Sequence, residues 1–172
     1  FLLSGHVSVV TGKNSFDFLV EDYHISGVIT GFEPVELLRG IYKLLQQLLN
    51  EKTEIINDYT YMVKNDGNVV AKKMMKKYLD YHNEEWRGMG VIQNSGLTLK
   101  HEYAKFDAKK KFHVSVDEPR KTKCRCGEII RGVITPEECK LFNKGCTPLF
   151  PIGPCMVSTE GTCAAHYQYM RE

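Results

Sequence analysis

The chain has 172 residues, of which 42% are hydrophobic and 26% are charged, and its formal net charge is +2. This length and composition are typical of a globular protein with one domain or two small ones. The low net charge gives no support to a nucleic-acid partner or a membrane surface, and no apolar run reaches the length of a membrane-spanning helix.

The first part of the chain alternates between short apolar runs and amphipathic stretches. Residues 1–3, 27–30 and 54–57 predict strands, and helical patterns separate them. This alternation predicts an α/β layer built on a partial parallel sheet. Because the chain opens directly on an apolar run without a signal-peptide pattern, we expect this layer to be truncated at its N-terminus.

Three helices are predicted in this layer. The first runs over residues 15–23 with Ser15 as its cap. The clearest covers residues 34–50, where leucines recur at three- and four-residue spacing and Glu33 is interpreted as a helix cap. A basic helix at residues 69–81 is expected to turn its apolar side chains Val70, Met74 and Leu79 inward.

Regular structure is predicted to weaken after residue 81. Gly88 and Gly90 disfavour a helix or strand around Trp86, which is interpreted as a core residue. Residues 93–96 have turn composition, and a short helix is predicted at residues 99–105. The basic segment at residues 100–111 is interpreted as a solvated helix face. We expect a domain boundary near residue 118, which separates an α/β domain (residues 1–118) from a cysteine-rich module (residues 119–172).

All the cysteines of the chain lie in that last module. They are Cys124, Cys126, Cys139, Cys146, Cys155 and Cys163, and residues 1–123 contain none. Six thiols within forty residues predict that the cysteines act together. They would form a disulfide framework, bind a metal, hold a cluster or take part in redox exchange.

Few regular elements are predicted around these cysteines. Thr135, Pro136 and Glu138 form the pattern of a capping box, which places Cys139 in the first turn of a helix that ends near Gly145. Prolines exclude regular structure over residues 148–158, and a last helix is predicted over residues 163–169, with a cap in residues 158–161. The module has too few aliphatic side chains to form its own core, so a bound inorganic centre would supply the missing cohesion.

Spacing leaves several interpretations of the cysteines open. A disulfide framework needs an oxidising compartment, and a zinc site usually shows paired knuckles, whereas Cys124 and Cys126 are separated by a single residue. An iron–sulfur cluster needs four thiolates from irregular backbone, which would leave two thiols for redox exchange. Spacing alone does not identify which four are the ligands.

Short sequence motifs occur along the whole chain. They are CRCGE at residues 124–128, RGV at 131–133, PEEC at 136–139, CTP at 146–148 and GPCMVSTEGTCAA at 153–165, and upstream GHV at 5–7, GFEP at 31–34, WRGMGVI at 86–92 and EYA at 102–104. In these motifs the sequence resembles the HypD family of nickel–iron hydrogenase maturation proteins. The resemblance covers essentially the whole chain, as the C-terminal part of the family sequence.

The resemblance implies a cofactor and a division of the cysteines. The family motif Cys-x14-Cys-x6-Cys-x16-Cys nominates four ligands of a 4Fe–4S cluster, which are Cys124, Cys139, Cys146 and Cys163. The remaining Cys126 and Cys155 match the redox dithiol of the family. The family's further cysteines, including the one that holds the iron, have no counterpart in residues 1–123.

The resemblance also implies a function in the cytoplasm. HypD proteins work with a HypC-type chaperone and HypE to assemble the Fe(CN)2CO centre of nickel–iron hydrogenase, and the cluster and dithiol supply electrons. The expected protein is a redox-active maturation scaffold rather than a simple small-substrate enzyme. The alternative is a non-redox, zinc-stapled module that docks a partner protein.

Three further residues are candidates for the site. His6 follows a predicted strand end, where α/β proteins place ligand contacts, although a structural role is the simpler interpretation. Glu160 is interpreted as a cap or as a contact near the dithiol. His166 lies three residues after Cys163 and is a weak candidate for a metal ligand.

Overall fold

The chain folds into two compact units, Phe1–Tyr78 and Leu79–Glu172, which we call the sheet unit and the cysteine unit. The computed structural model describes residues 1–86, 88–112 and 122–170. The predicted boundary near residue 118 lies outside the described residues and stays a prediction. In the described ranges no helix is both long and apolar enough to cross a bilayer.

The sheet unit contains a small parallel sheet. Its elements are β1 (Leu2–Ser4), α1 (Gly5–Thr11), a 3-10 helix (Lys13–Phe16), α2 (Asp17–Glu21), β2 (Gly27–Thr30), α3 (Pro34–Leu49), β3 (Ile55–Asn57) and α4 (Val69–Tyr78). The strand order is β1-β2-β3 with both pairs parallel, as the alternating pattern predicted.

The centre of this unit is the middle strand. Every residue of β2 is buried, which is typical of a strand covered on both faces. Ile29 packs with Ile55 and Val63 in one apolar cluster, and Leu3 and Val9 border it. The second and third apolar runs therefore contribute to the interior of the α/β layer, whereas Phe1 and Leu2 of the first run are exposed.

The start of the sheet unit differs from the prediction. The segment between Gly5 and Gly12 is a seven-residue helix, and Gly12 ends it with a φ of 85°. Ser15 does not cap a helix. It lies within the 3-10 helix, where its hydroxyl donates to the carbonyl of Gly12 at 2.7 Å, and the predicted helix begins only at Asp17.

Helix α3 has nearly the predicted bounds, and Glu33 is confirmed as its cap. The Glu33 backbone N–H donates to Glu36 Oε2 at 3.1 Å in a capping box. The buried residues of α3 are nevertheless Gly40 and Gln47 rather than leucines. Gly40 lies against β1 and β2, where an added Cβ would come 3.0 Å from a Leu2 methyl group.

Two ion pairs hold α3 in this orientation. Asp58, directly after β3, accepts hydrogen bonds from Lys43 Nζ at 2.5 Å and from Arg39 Nε at 2.9 Å. Burial alone would raise the pKa of Asp58, but the bonds from Lys43 and Arg39 outweigh burial and lower it. The charged side of the helix is therefore anchored beside the sheet.

The cysteine unit begins with an antiparallel hairpin that the sequence did not predict. Its elements are β4 (Leu79–Trp86), β5 (Gly90–Leu99), a 3-10 helix (His101–Phe106), α5 (Ala108–Lys111), α6 (Cys126–Ile130), a 3-10 helix (Pro136–Glu138), α7 (Pro154–Val157) and α8 (Thr162–Tyr169).

The hairpin corrects several predictions around Gly88. Gly88 and Gly90 have φ values of 80° and 76°, so the glycines that suggested irregular structure form a tight turn. Residues 93–96 lie within β5 beside a register shift, and the predicted helix at residues 99–105 is a 3-10 helix. Trp86 is 42% exposed and donates from Nε1 to Ser95 Oγ at 2.7 Å, so it is not a core residue.

Helix α4 also departs from its prediction. It ends at Tyr78 instead of Tyr81, because Leu79 already pairs with Leu99 in the hairpin. None of its residues is buried, and Val70 and Met74 are exposed rather than inward.

The elements around the cysteines are shorter than predicted. The capping box is present, since the Thr135 N–H donates to Glu138 Oε2 at 2.7 Å, but the helix ends after one 3-10 turn with Cys139 as its C-cap. One turn of helix, α7, occupies the segment predicted to be irregular. Helix α8 is confirmed, and its N-cap is Gly161.

Candidate cysteine site

The structure brings all six cysteines into one region of the cysteine unit. Five of them form a single buried cluster with Ile129, Met156 and Ala164, and Cys124 packs against it half-buried. The exposed fractions of the five buried residues are 2% for Cys126, 6% for Cys139, 6% for Cys146, 5% for Cys155 and 8% for Cys163. All six are free thiols. Thiols thus make up most of this interior.

Short helices and turns position the cysteines. Cys126 opens α6, Cys155 follows the first residue of α7, and Cys163 follows the first residue of α8. Cys139 ends the 3-10 helix after the capping box, and Cys146 pairs with Phe142 in an isolated bridge. Five of the six cysteines are thus positioned by a short helix or a bridge.

Glycines allow the backbone to approach the thiols closely. A Cβ added to Gly153 would collide with Cys124 Sγ, and one added to Gly161 would collide with the carbonyl of Cys155. A Cβ on Gly127 would collide with the carbonyl of Gly88 in the hairpin turn. Gly88 and Gly127 therefore connect the hairpin to the segment that holds Cys126, a contact that the sequence did not reveal.

Among the described residues, the hydrogen bonds of the sulfur atoms include two with the backbone. The Ile152 backbone N–H donates to Cys146 Sγ at 3.3 Å, and Cys155 Sγ lies 4.0 Å from the carbonyl oxygen of Cys126. A backbone donor such as the Ile152 N–H stabilises a thiolate. Ile152 had no signal in the sequence, because its contribution is a main-chain N–H in a proline-rich loop.

Burial keeps several thiols protonated. Burial, with smaller contributions from the nearby charges of Cys155, Cys146, Cys124 and Cys139, raises the pKa of Cys163 to about 12. Burial likewise raises the pKa of Cys124 to about 11. Thiolates crowded together in a dehydrated site need a compensating cation.

These observations test whether the residues suit an iron–sulfur cluster. The donor set is suitable, because soft, buried thiols are the ligands that such clusters take. In the described part of the chain, however, no three or more metal-binding side chains are placed so that they could hold one metal ion together. The thiols are gathered, and the ligand shell itself is not preformed.

The histidine candidates have other contacts. His166 Nε2 lies 2.6 Å from Glu137 Oε1, and its ring packs edge-on against Phe142. His6, in the sheet unit, pairs through Nδ1 with Ser4 Oγ at 2.9 Å, and its ring lies 5.1 Å from that of Phe32. The pairing of His166 with Glu137 was not predicted, since 29 residues separate the two in the sequence.

Glu160 remains at the surface. Its backbone N–H donates to Ser158 Oγ at 3.3 Å, in the turn that precedes α8. That bond fits the interpretation of the segment as a cap, and it lies one residue before the close contact of Gly161 with Cys155.

Comparison with known proteins identifies the family. The family model HypD, described as the Hydrogenase formation hypA family, matches residues 1–170. The chain belongs to the HypD family. The family resemblance that the cysteine motif suggested is therefore confirmed.

Curated HypD proteins match essentially the whole chain. Hydrogenase maturation factor HypD2 of Bradyrhizobium diazoefficiens is 41% identical over 99% of this chain and 46% of its own length. Hydrogenase maturation factor HypD of Escherichia coli is 39% identical over 100% of this chain and 47% of its own length. HypD of Cupriavidus necator is 39% identical over 99% of this chain and 46% of its own length. The chain thus spans about half the length of these relatives.

Proposed function

We propose that this chain carries the electron-supplying centre of a hydrogenase maturation factor. In this proposal Cys124, Cys139, Cys146 and Cys163 hold a 4Fe–4S cluster, and Cys126 and Cys155 are a redox dithiol beside it. The observation that carries the proposal is the convergence of all six cysteines of a HypD-family chain in one buried region.

The proposed ligands and the proposed dithiol lie close enough together to affect one another's pKa values. Three of the four cysteines whose charges raise the pKa of Cys163 are the other proposed ligands. Cys155 is the fourth, and a hydrogen bond connects it with Cys126, its proposed redox partner. Burial, the largest effect, raises the pKa of Cys155.

The dithiol has a simple electron balance. When Cys126 and Cys155 form an Sγ–Sγ bond, the two thiols release two protons and two electrons. The proposed acceptor is the iron centre under assembly, and the bound cluster would supply the capacity to exchange single electrons. Because burial favours the protonated Cys155 thiol, the exchange begins only when its proton leaves Sγ.

The wider activity belongs to the same proposal. By family resemblance, the chain acts with a HypC-type chaperone and HypE in assembly of the Fe(CN)2CO centre of nickel–iron hydrogenase. Free thiols at this density suit the reducing cytoplasm. Because residues 1–123 contain no cysteine, we propose that this chain supplies electrons and that the thiolate which holds the iron lies on other sequence.

Anaerobic reconstitution tests the cofactor. We expect about four iron and four sulfide per chain, with the broad visible absorption of a 4Fe–4S cluster. A colourless protein that retains one tightly bound zinc after the same treatment would contradict the cluster and support the zinc-stapled docking module.

Paired substitutions test the division of roles. Cys139→Ser with Cys146→Ser should abolish iron binding, because two of four ligands are lost. Cys126→Ser with Cys155→Ser should leave the iron content unchanged and remove the two-electron thiol titration. Loss of iron in the second variant, with retention in the first, would reverse the assignment.

A further inference from the structure

Helix α3 presents an apolar face to solvent. The apolar face of α3 consists of Val35, Leu38, Tyr42, Leu45 and Leu49, whose side chains are 53–83% exposed. They alternate at spacings of three and four residues, as the a and d positions of a heptad do, so they form one stripe along the helix. A continuous apolar stripe marks an interaction surface.

The surroundings of this stripe are apolar as well. Ile41 and Leu48 flank it and are also exposed. Both basic residues of the helix, Arg39 and Lys43, are already paired with Asp58. A nucleic acid or an acidic peptide would need such cations, so the surface fits an apolar protein face, above all that of an amphipathic helix.

A cavity lies beside the C-terminal part of α3, and it shares Leu48 with the flank of the stripe. It has a volume of about 540 Å³ and a mixed lining, in which Phe1, Ile25 and Leu44 lie with polar residues that include Glu51 and Lys52. Gln47 also lines it, and in the described part of the chain neither polar atom of its buried carboxamide has a hydrogen-bond partner. A side chain of an occupant with an apolar stem and a polar end suits this mixed lining, because its polar end would pair with the carboxamide of Gln47.

The relatives indicate where such an occupant comes from. The chain matches 46% and 47% of the length of two HypD proteins, so each of them has roughly as much sequence again. We propose that the apolar face of α3 is the docking surface for this remaining HypD-family sequence, which contributes an amphipathic helix packed lengthwise along α3.

The size of the surface suits a specific contact. The 16 residues of α3 extend over about 24 Å, and covering the stripe with a matching helix would bury on the order of 1,000 Å² in total. In the relatives both sides of the contact belong to one chain, so the effective concentration is high and a modest interface stays occupied.

Coproduction tests the proposal. The whole chain is coproduced with a tagged polypeptide that comprises the part of the Escherichia coli relative without a counterpart in this chain, and the two are expected to copurify. Leu38→Glu and Leu45→Glu should each weaken the association about 10- to 100-fold, because a buried leucine is replaced by a charge. Both side chains already face water, so the circular dichroism and Tm of the chain should not change.

Val70→Glu is the matched control. Val70 is 73% exposed on α4 of the same unit, comparable with 67% for Leu38, and its substitution should leave the association unchanged. Absence of copurification, or full binding by Leu38→Glu, would overturn the proposal. A dimer of this chain in light scattering that Leu38→Glu dissociates would instead assign the surface to a second copy. Iron content is not measured, so the outcome is independent of the cysteine assignment.

Discussion

The sheet unit packs Ile29, Ile55 and Val63 at its centre, whereas the cysteine unit packs five cysteines with Ile129, Met156 and Ala164. Aliphatic side chains stabilise a fold by burial alone, and their contribution does not depend on metal or redox state. Thiols can be ionised, oxidised or bound by a metal. We therefore expect the stability of the sheet unit to be independent of metal and redox state, and the stability of the cysteine unit to change with both.

Removal of the metal should produce the largest difference in stability between the two units. After chelation of the reconstituted protein, we expect amide protection in α6, α7 and α8 to fall by about 100-fold or more, because binding energy at such sites is folding energy. The amides of Val28 and Ile29 in β2 should keep their protection. Hydrogen exchange read by mass spectrometry measures both, and an equal loss in both units would contradict the comparison.

A substitution that creates a cavity in the sheet unit should destabilise that unit and leave the cysteine unit unaffected. Ile29→Ala removes a fully buried side chain and should lower the free energy of unfolding by about 2–5 kcal/mol. Iron and sulfide per chain should remain at the wild-type level. Urea unfolding measures the change, with exposed Val70→Ala as the control, for which we expect about 0.5 kcal/mol or less.

A smaller effect is expected where the hairpin turn meets α6. Gly127→Ala places a methyl group against the Gly88 carbonyl and should destabilise the cysteine unit by about 1–3 kcal/mol. Gly145→Ala is the control, because nothing lies within 4 Å of its added Cβ. Thermal unfolding of the metal-free chain compares them, and equal Tm values would show that the turn and α6 do not pack as described.

Alkaline pH should produce the smallest of these effects on stability. The pKa values of Cys124 and Cys163 are raised from 9.0 to about 11 and about 12, mainly by burial. Between pH 9 and 12 the unfolded chain therefore loses protons that the folded chain keeps, so the free energy of unfolding falls as pH rises. Urea midpoints of the metal-free chain at pH 8 and pH 10 measure this fall. The fall in the urea midpoint should be smaller in Cys124→Ser. An equal fall in the variant and the unaltered chain would contradict the burial of the Cys124 thiol.

The parts of the fold that the sequence predicted depend on local signals. Strand β2 is a continuous apolar run, and the start of α3 follows from Pro34 and the capping box of Glu33. The hairpin was missed because Gly88 and Gly90, which lower strand propensity, are also the residues that a tight turn requires. Composition does not distinguish these two uses of glycine.

The candidate site was predictable only as a set of residues. The cysteine motif indicated six thiols with one purpose, and they do converge. Contacts of the backbone, such as the Ile152 N–H on Cys146 and the fit of Gly153 beside Cys124, carry no side-chain signature. Pairings over long separations, such as His166 with Glu137, need the folded chain to become visible.

The pairing of Asp58 with Lys43 and Arg39 has a consequence for α3 as a whole. Leucines at this spacing would ordinarily rotate a helix until they covered the adjacent sheet. The two ion pairs favour the opposite rotation, because turning the leucines inward would remove both cations from a buried carboxylate. We therefore expect Asp58→Leu to let α3 rotate about its axis, which would turn its leucines toward the sheet and remove its apolar face from solvent.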